Sequence, residues 1–131
     1  MKVLYVDLEF YYGIEARGAN IIGQDGFKAG FETLGCEVTP FYYDSYLKNI
    51  RQLQVDLLIF ADQVQPDLIF FSIFQDQLEH DTLLKLKEKY VTINWFGDDQ
   101  WRFNSFTQYY ANDFTWCVTT DLFSIEKFIL I

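Results

Sequence analysis

Hydrophobic residues fall along the chain in two alternating textures. Short continuous apolar runs occur at Val3–Val6, Asp67–Phe74, Val91–Phe96 and Phe114–Thr120, and a β-prone stretch runs from Glu37 to Tyr43. Unbroken runs of this length are what strands buried on both faces look like. Between them apolar residues recur every three to four positions, the period of a helix with one buried face. Phe27, Phe31 and Leu34 mark a first helix, ended by Gly35. Leu47, Ile50, Leu53, Leu57, Phe60 or Ala61, and Val64 predict a second helix of about five turns, capped by Asp44 or Ser45 and stopped by Pro66. Leu83, Leu86 and Tyr90 predict a third. Phe103, Phe106 and Tyr110 predict a fourth, and Leu122, Ile125 and Phe128 (or Ile129) a fifth behind an Asp121 cap.

Strand and helix alternate five times, which predicts a parallel sheet with helices on both faces. Pro40 lies inside the second strand, and proline confines a strand to a sheet edge. The third strand is the most hydrophobic and should be central. Together these favour the order 2-1-3-4-5, a Rossmann-like or flavodoxin-like three-layer sandwich formed as one domain over residues 1–131. The chain ends on Phe128-Ile129-Leu130-Ile131, an apolar end that reads as continuing into further structure.

Composition narrows the partners. Nineteen acidic residues against ten Lys and Arg give a net charge of −9. Such a surface repels phosphate backbones, so no nucleic-acid partner is expected. Lys85, Lys87 and Lys89 are interleaved with Glu88 on a helix and read as a solvated face. Cys36 and Cys117 have no metal-ligand or disulfide spacing and read as buried free thiols. The first apolar run is too short for a signal peptide, and no stretch reaches the ~18 apolar residues of a membrane span. A cytoplasmic protein is expected. Aromatic residues make up 20% of the chain, enough for a core and, in part, for a cleft wall or a second interface.

In open parallel sheets ligands bind at the carboxyl ends of the strands. The order 2-1-3-4-5 gathers four loops on that rim. They bring Asp7, Glu9, Tyr11 and Tyr12 after the first strand, and Ser72, Gln75 and Asp76 after the third. Asp98, Asp99, Trp101 and Arg102 follow the fourth, and Thr119, Thr120 and Asp121 the fifth. The carboxylates can hold a divalent cation or accept hydrogen bonds from sugar hydroxyls, with Trp95, Trp101 or Tyr12 stacking on a sugar face. Asp98 and Asp99 can equally be helix caps. Arg102 can pair with either aspartate or face an anionic ligand. His80, the single histidine, reads as a polar residue near a helix start, with a general-base role as the alternative.

Several chemistries lack their residues. Five of the seven glycines lie between Gly13 and Gly30, but they form neither a dinucleotide fingerprint nor a phosphate-binding loop. The strand ends lack the aspartate and lysine of a receiver domain. There is no Asp-x-His-x-x-Gly of a cobalamin site, and no nucleophile elbow or Cys–His pair of a hydrolase.

Asn94-Trp95-Phe96, Asp98-Asp99, Trp101-Arg102-Phe103, Phe106, Tyr110, Phe114 and Val118-Thr119-Thr120-Asp121 together resemble the amino-terminal half of CgeB-type (spore maturation protein-like) glycosyltransferases. The resemblance covers most of the chain, including the opening strand and the strand after Pro66. It implies a GT-B architecture, in which two Rossmann-like domains face a cleft. The amino-terminal domain mainly binds the acceptor and the carboxyl-terminal one the nucleotide-sugar donor, usually without a bound metal. By that resemblance this chain is an acceptor-side domain, inactive alone. Its partners are a glycan or other acceptor and a donor-binding domain in cis or trans. Its expected substrate-binding residues are Asp7, Tyr11, Tyr12, Ser72, Gln75, Asp98, Asp99, Trp101, Arg102, Thr120 and Asp121, with no catalytic base assigned. A stand-alone glycan- or protein-binding module is the alternative, and exposed aromatic surface would favour a homo-oligomer.

Overall fold

A computed structural model describes residues 1–131. Five strands form one all-parallel sheet: β1 (Lys2–Asp7), β2 (Glu37–Tyr42), β3 (Leu68–Phe71), β4 (Val91–Phe96) and β5 (Trp116–Thr119). Their order is β2-β1-β3-β4-β5, with β3 at the centre and β2 at one edge. Pro40 pairs with Tyr5 in that edge strand, where half of the N–H groups face away from the sheet and a missing donor costs nothing.

Successive side chains point to opposite faces, and the two faces differ. Leu4, Val6, Ile69, Phe71 and Phe96 point to the larger one. It is covered by α2 (Ile50–Val64) and α3 (His80–Lys89), and by the segment after β4. That segment comprises α4 (Asp99–Arg102), a wide π-helical turn Phe103–Thr107 and α5 (Gln108–Tyr110). Val3, Tyr5, Leu68 and Phe70 point the other way, where Phe27 and Phe31 cover them. These two come from a π-helical stretch, Ile22–Lys28, and from α1 (Ala29–Thr33), which continues it. That cover does not extend over β5. Trp116 and Val118 pair with Ile93 and Trp95 and share their face, yet remain 64% and 46% exposed.

Three expectations about helices need correction. Gly35 does end α1: at φ +79° it lets Cys36 N–H donate to the Phe31 carbonyl and its own N–H to Glu32, a Schellman cap. Leu34, however, the residue before that glycine, is left in solvent. The second helix is shorter than its apolar period suggests, because Asn49 caps it by accepting from Gln52 N–H. Asp44 opens a separate 3-10 turn, Asp44–Tyr46, and its carboxylate is used elsewhere. Finally, α6 (Ile125–Ile129) follows the turn capped by Asp121, but Leu122, Ile125 and Ile129 are exposed. Only Phe128 reaches the core, against Phe96 and Phe103. No helix is long and apolar enough to cross a membrane. Both cysteines are free and half-buried, and burial pushes the Cys117 thiol up to about 11.

Candidate functional site

β1, β3 and β4 end side by side, and the loops leaving them enclose an open cleft of about 240 Å³. Its floor is built on Asp7, the last residue of β1, which is 2% exposed. One carboxylate oxygen accepts from Leu8 N–H at 2.7 Å. The other accepts from the Tyr5 hydroxyl, two residues back on the same sheet face, and from Asn20 Nδ2 at 3.1 Å. No cation lies within ion-pair distance. Burial, opposed by the hydrogen bonds and reinforced by the charge of Asp44, raises the carboxyl from 3.8 to about 6. Burial and the same carboxylate push the Tyr5 hydroxyl far above its ordinary value, so it stays a donor.

Gly23 closes over this cluster. A β-carbon there would overlap the Asp7 carboxylate and come within 2.7 Å of Asn20 Nδ2 and the Tyr5 hydroxyl. That packing explains one glycine of the punctuated segment: it serves close approach of backbone to side chains.

The loop after β1 forms the rim. Asp44 accepts from Glu9 N–H at 2.7 Å and Phe10 N–H at 3.0 Å, fixing its start. Phe10 and Ala19 form an isolated bridge, and Asn20 N–H returns to the Glu9 carbonyl at 2.9 Å. Between them Tyr12 is held at φ +58°, a left-handed conformation that costs a non-glycine residue energy. Its ring meets Phe74 edge-on at 5.1 Å, while Arg17 lies 4.8 Å above it. Opposite, the Trp95 indole crosses Gly97, where a β-carbon would come within 2.5 Å of the ring. It also packs against Phe27 at 5.0 Å.

Asp98 and Asp99 part company. Asp98 is exposed, lines the cleft and makes no side-chain cap to α4. Asp99 turns inward to 1% exposure, where its Oδ1 accepts from Thr107 Oγ1 at 2.6 Å and its Oδ2 has no partner. Arg102 forms no ion pair with either. It donates to the Phe74 carbonyl at 2.8 Å and lies 4.2 Å over Phe106.

Of the residues expected at the site, the cleft brings together Asp7, Tyr11, Tyr12, Ser72, Asp98 and Arg102. Gln75 lies in the adjoining hollows. Trp101 is 65% exposed outside the cleft. Thr120 donates to the Gly97 carbonyl at 2.7 Å, and Asp121 caps the turn before α6. Sequence reasoning missed Asn20, whose contact with Asp7 spans thirteen positions and has no local signal. His80 sits at the start of α3, stacked on Tyr110 and bonded to Asp113 at 2.5 Å. No three His, Cys, Asp or Glu side chains converge to hold a metal ion.

No protein-family model matches the chain, and no characterised protein matches it significantly. The arrangement itself offers a polar floor flanked by aromatic walls. It has fixed acceptors for hydroxyl groups and one cation, and its hydroxyls and carboxylates, Ser72 among them, have no imidazole beside them on the cleft.

Proposed function

We propose that the chain binds a glycan acceptor in this cleft, as the acceptor-side domain of a nucleotide-sugar-dependent glycosyltransferase. One observation carries the reading: Tyr12 and Trp95 border the same hollow as Asp7, Asn20, Ser72 and Asp98. A sugar ring has apolar C–H faces and a hydroxyl edge, so it needs an aromatic plane beside hydrogen-bond acceptors. The volume, about 240 Å³, lies below the ~300–1,000 Å³ of sites for drug-sized ligands and suits one sugar unit. The donor nucleotide-sugar belongs on a second domain, in cis or in trans, and the domain alone transfers nothing. The uncovered face at Trp116 and Val118 supports such a partner. It also favours the second reading, a glycan- or protein-binding module without catalysis.

The test is a titration of the chain with glucose, N-acetylglucosamine and short oligosaccharides, and separately with UDP-glucose, followed by tryptophan fluorescence and calorimetry. Binding of at least one sugar at about millimolar Kd, without UDP-glucose binding, is the expected result. Sugar transfer from UDP-glucose by the chain alone would overturn the division of labour. Silence toward every sugar would overturn the glycan reading and leave a protein partner.

A further inference from the structure

Arg102 is the one arginine drawn into the surface; Arg17 and Arg51 are exposed. In a chain with nineteen carboxylates it pairs with none. Its guanidinium is nevertheless fixed. One nitrogen donates to the Phe74 carbonyl, and the guanidinium carbon lies 4.2 Å over the Phe106 ring, with Trp101 at 5.7 Å. That leaves four of its five N–H donors unused. The polar side-chain atoms sealed from solvent without a partner are Gln24 Nε2 and Asp99 Oδ2, so the free guanidinium nitrogens stay open to solvent. Arg102 also borders both the cleft and the adjoining hollow formed by Asp76, Ser105, Phe106 and Tyr109. A planar fork, held by backbone and aromatic contacts and lacking an internal carboxylate, is built for a bidentate anion.

We propose that Arg102 makes the cleft selective for a sugar bearing an acidic group, a carboxylate or a phosphate, which the guanidinium grips while the hydroxyls meet Asp7, Asn20 and Ser72. This rests on the glycan reading above and names the ligand class it takes. The acidic side chains that share its surroundings, Asp98 in the cleft and Asp76 in the adjoining hollow, are solvent-exposed and screened by salt, whereas the guanidinium is partly desolvated and acts at contact.

The test compares glucose, glucuronate and glucose 6-phosphate on the whole chain by calorimetry at about 0.15 M salt. At least one acidic sugar binds at least tenfold more tightly than glucose, and which one does so identifies the acid. Arg102→Gln, with its fold checked by circular dichroism, costs that sugar at least tenfold more than it costs glucose. Arg102→Lys keeps the charge but loses the fork, and recovers only part of the preference. Equal binding of all three sugars by the unaltered chain overturns this inference and leaves the glycan reading standing. Binding of none overturns this inference, and with N-acetylglucosamine and the oligosaccharides silent as well it overturns the glycan reading too; the wild-type comparison needs no variant to fold.

Discussion

Asp7 gives the cleft floor a measurable signature in the stability of the protein. Its carboxyl is raised from 3.8 to about 6, first because burial disfavours the charged form, against the pull of the donors around it. A gap of roughly 2 units at ~1.36 kcal/mol each is about 3 kcal/mol of linkage. Below the unfolded pKa both states carry the proton and that contribution to stability is fully present. As pH rises, the unfolded chain releases the proton first, and the contribution is lost through the folded pKa near 6. The perturbation is Asp7→Asn, which cannot titrate. The assay is urea unfolding of both proteins from about pH 4 to about pH 8, reading the difference between the two curves. The offset between them reflects hydrogen bonds, since the asparagine amide turns a donor toward Tyr5 and Asn20, a mismatch costing about 1–3 kcal/mol. The pH slope does not depend on that offset. Wild type should lose about 2.5 kcal/mol relative to the variant across the range, since the unfolded carboxyl is already more than half ionised at about pH 4; most of that loss falls below about pH 6.5. Other carboxylates contribute equally to both proteins and cancel. Parallel curves, differing in slope by less than ~0.5 kcal/mol overall, would refute the burial argument. They would mean that Asp7 is solvated in solution.

Further outcomes follow from the same contacts. Gly23→Ala drives a methyl into the Asp7–Asn20–Tyr5 cluster and should cost ~1–3 kcal/mol in urea denaturation, while weakening sugar binding where Gly26→Ala, on the open side of the same π-helical stretch, does not. Thr107→Val removes the only partner of the buried Asp99 carboxylate and should cost about 1.5–3 kcal/mol, again by urea midpoint; a loss under ~0.5 kcal/mol would mean that Asp99 is reached by water. The unaltered chain should associate with rising concentration in sedimentation velocity and Trp116→Lys should not; an unaltered chain that is monomeric throughout would show that the open face of β5 is tolerated in water.

How much could be read from the residues alone divides along a physical line. The sheet rests on local signals. Four of the five strands lie in apolar runs and β2 in a β-prone stretch, Val91–Phe96 matches the sequence reading residue for residue, and Pro40 points to which strand lies at an edge. Helical faces are less local, because a three-to-four period names a buried side only if some surface lies opposite it. Leu53, Leu57 and Ala61 have one, while Leu122, Ile125 and Ile129 carry the same period over α6 and its turn and meet solvent. Caps are less local still. Asp44, the cap expected from its position, gives way to Asn49 because the loop after β1 offers two N–H groups for its carboxylate.

The cleft is where local reasoning ends, and the two adjacent aspartates show why. Asp98 and Asp99 are the same side chain one position apart, separated by about 100° around a helix. Nothing between Trp95 and Arg102 says which is turned outward. The answer comes from Thr107, eight residues on, which bonds Asp99 and draws it inside, leaving Asp98 for the ligand side. Arg102, expected to take one of them as its partner, is turned by the Phe74 carbonyl and the Phe106 ring instead. The same few residues thus convert a symmetric acidic pair with a neutralising arginine into an asymmetric wall, one carboxylate beside one unpaired cation. A ligand with an acidic group and free hydroxyls answers both, and a neutral sugar answers only the first.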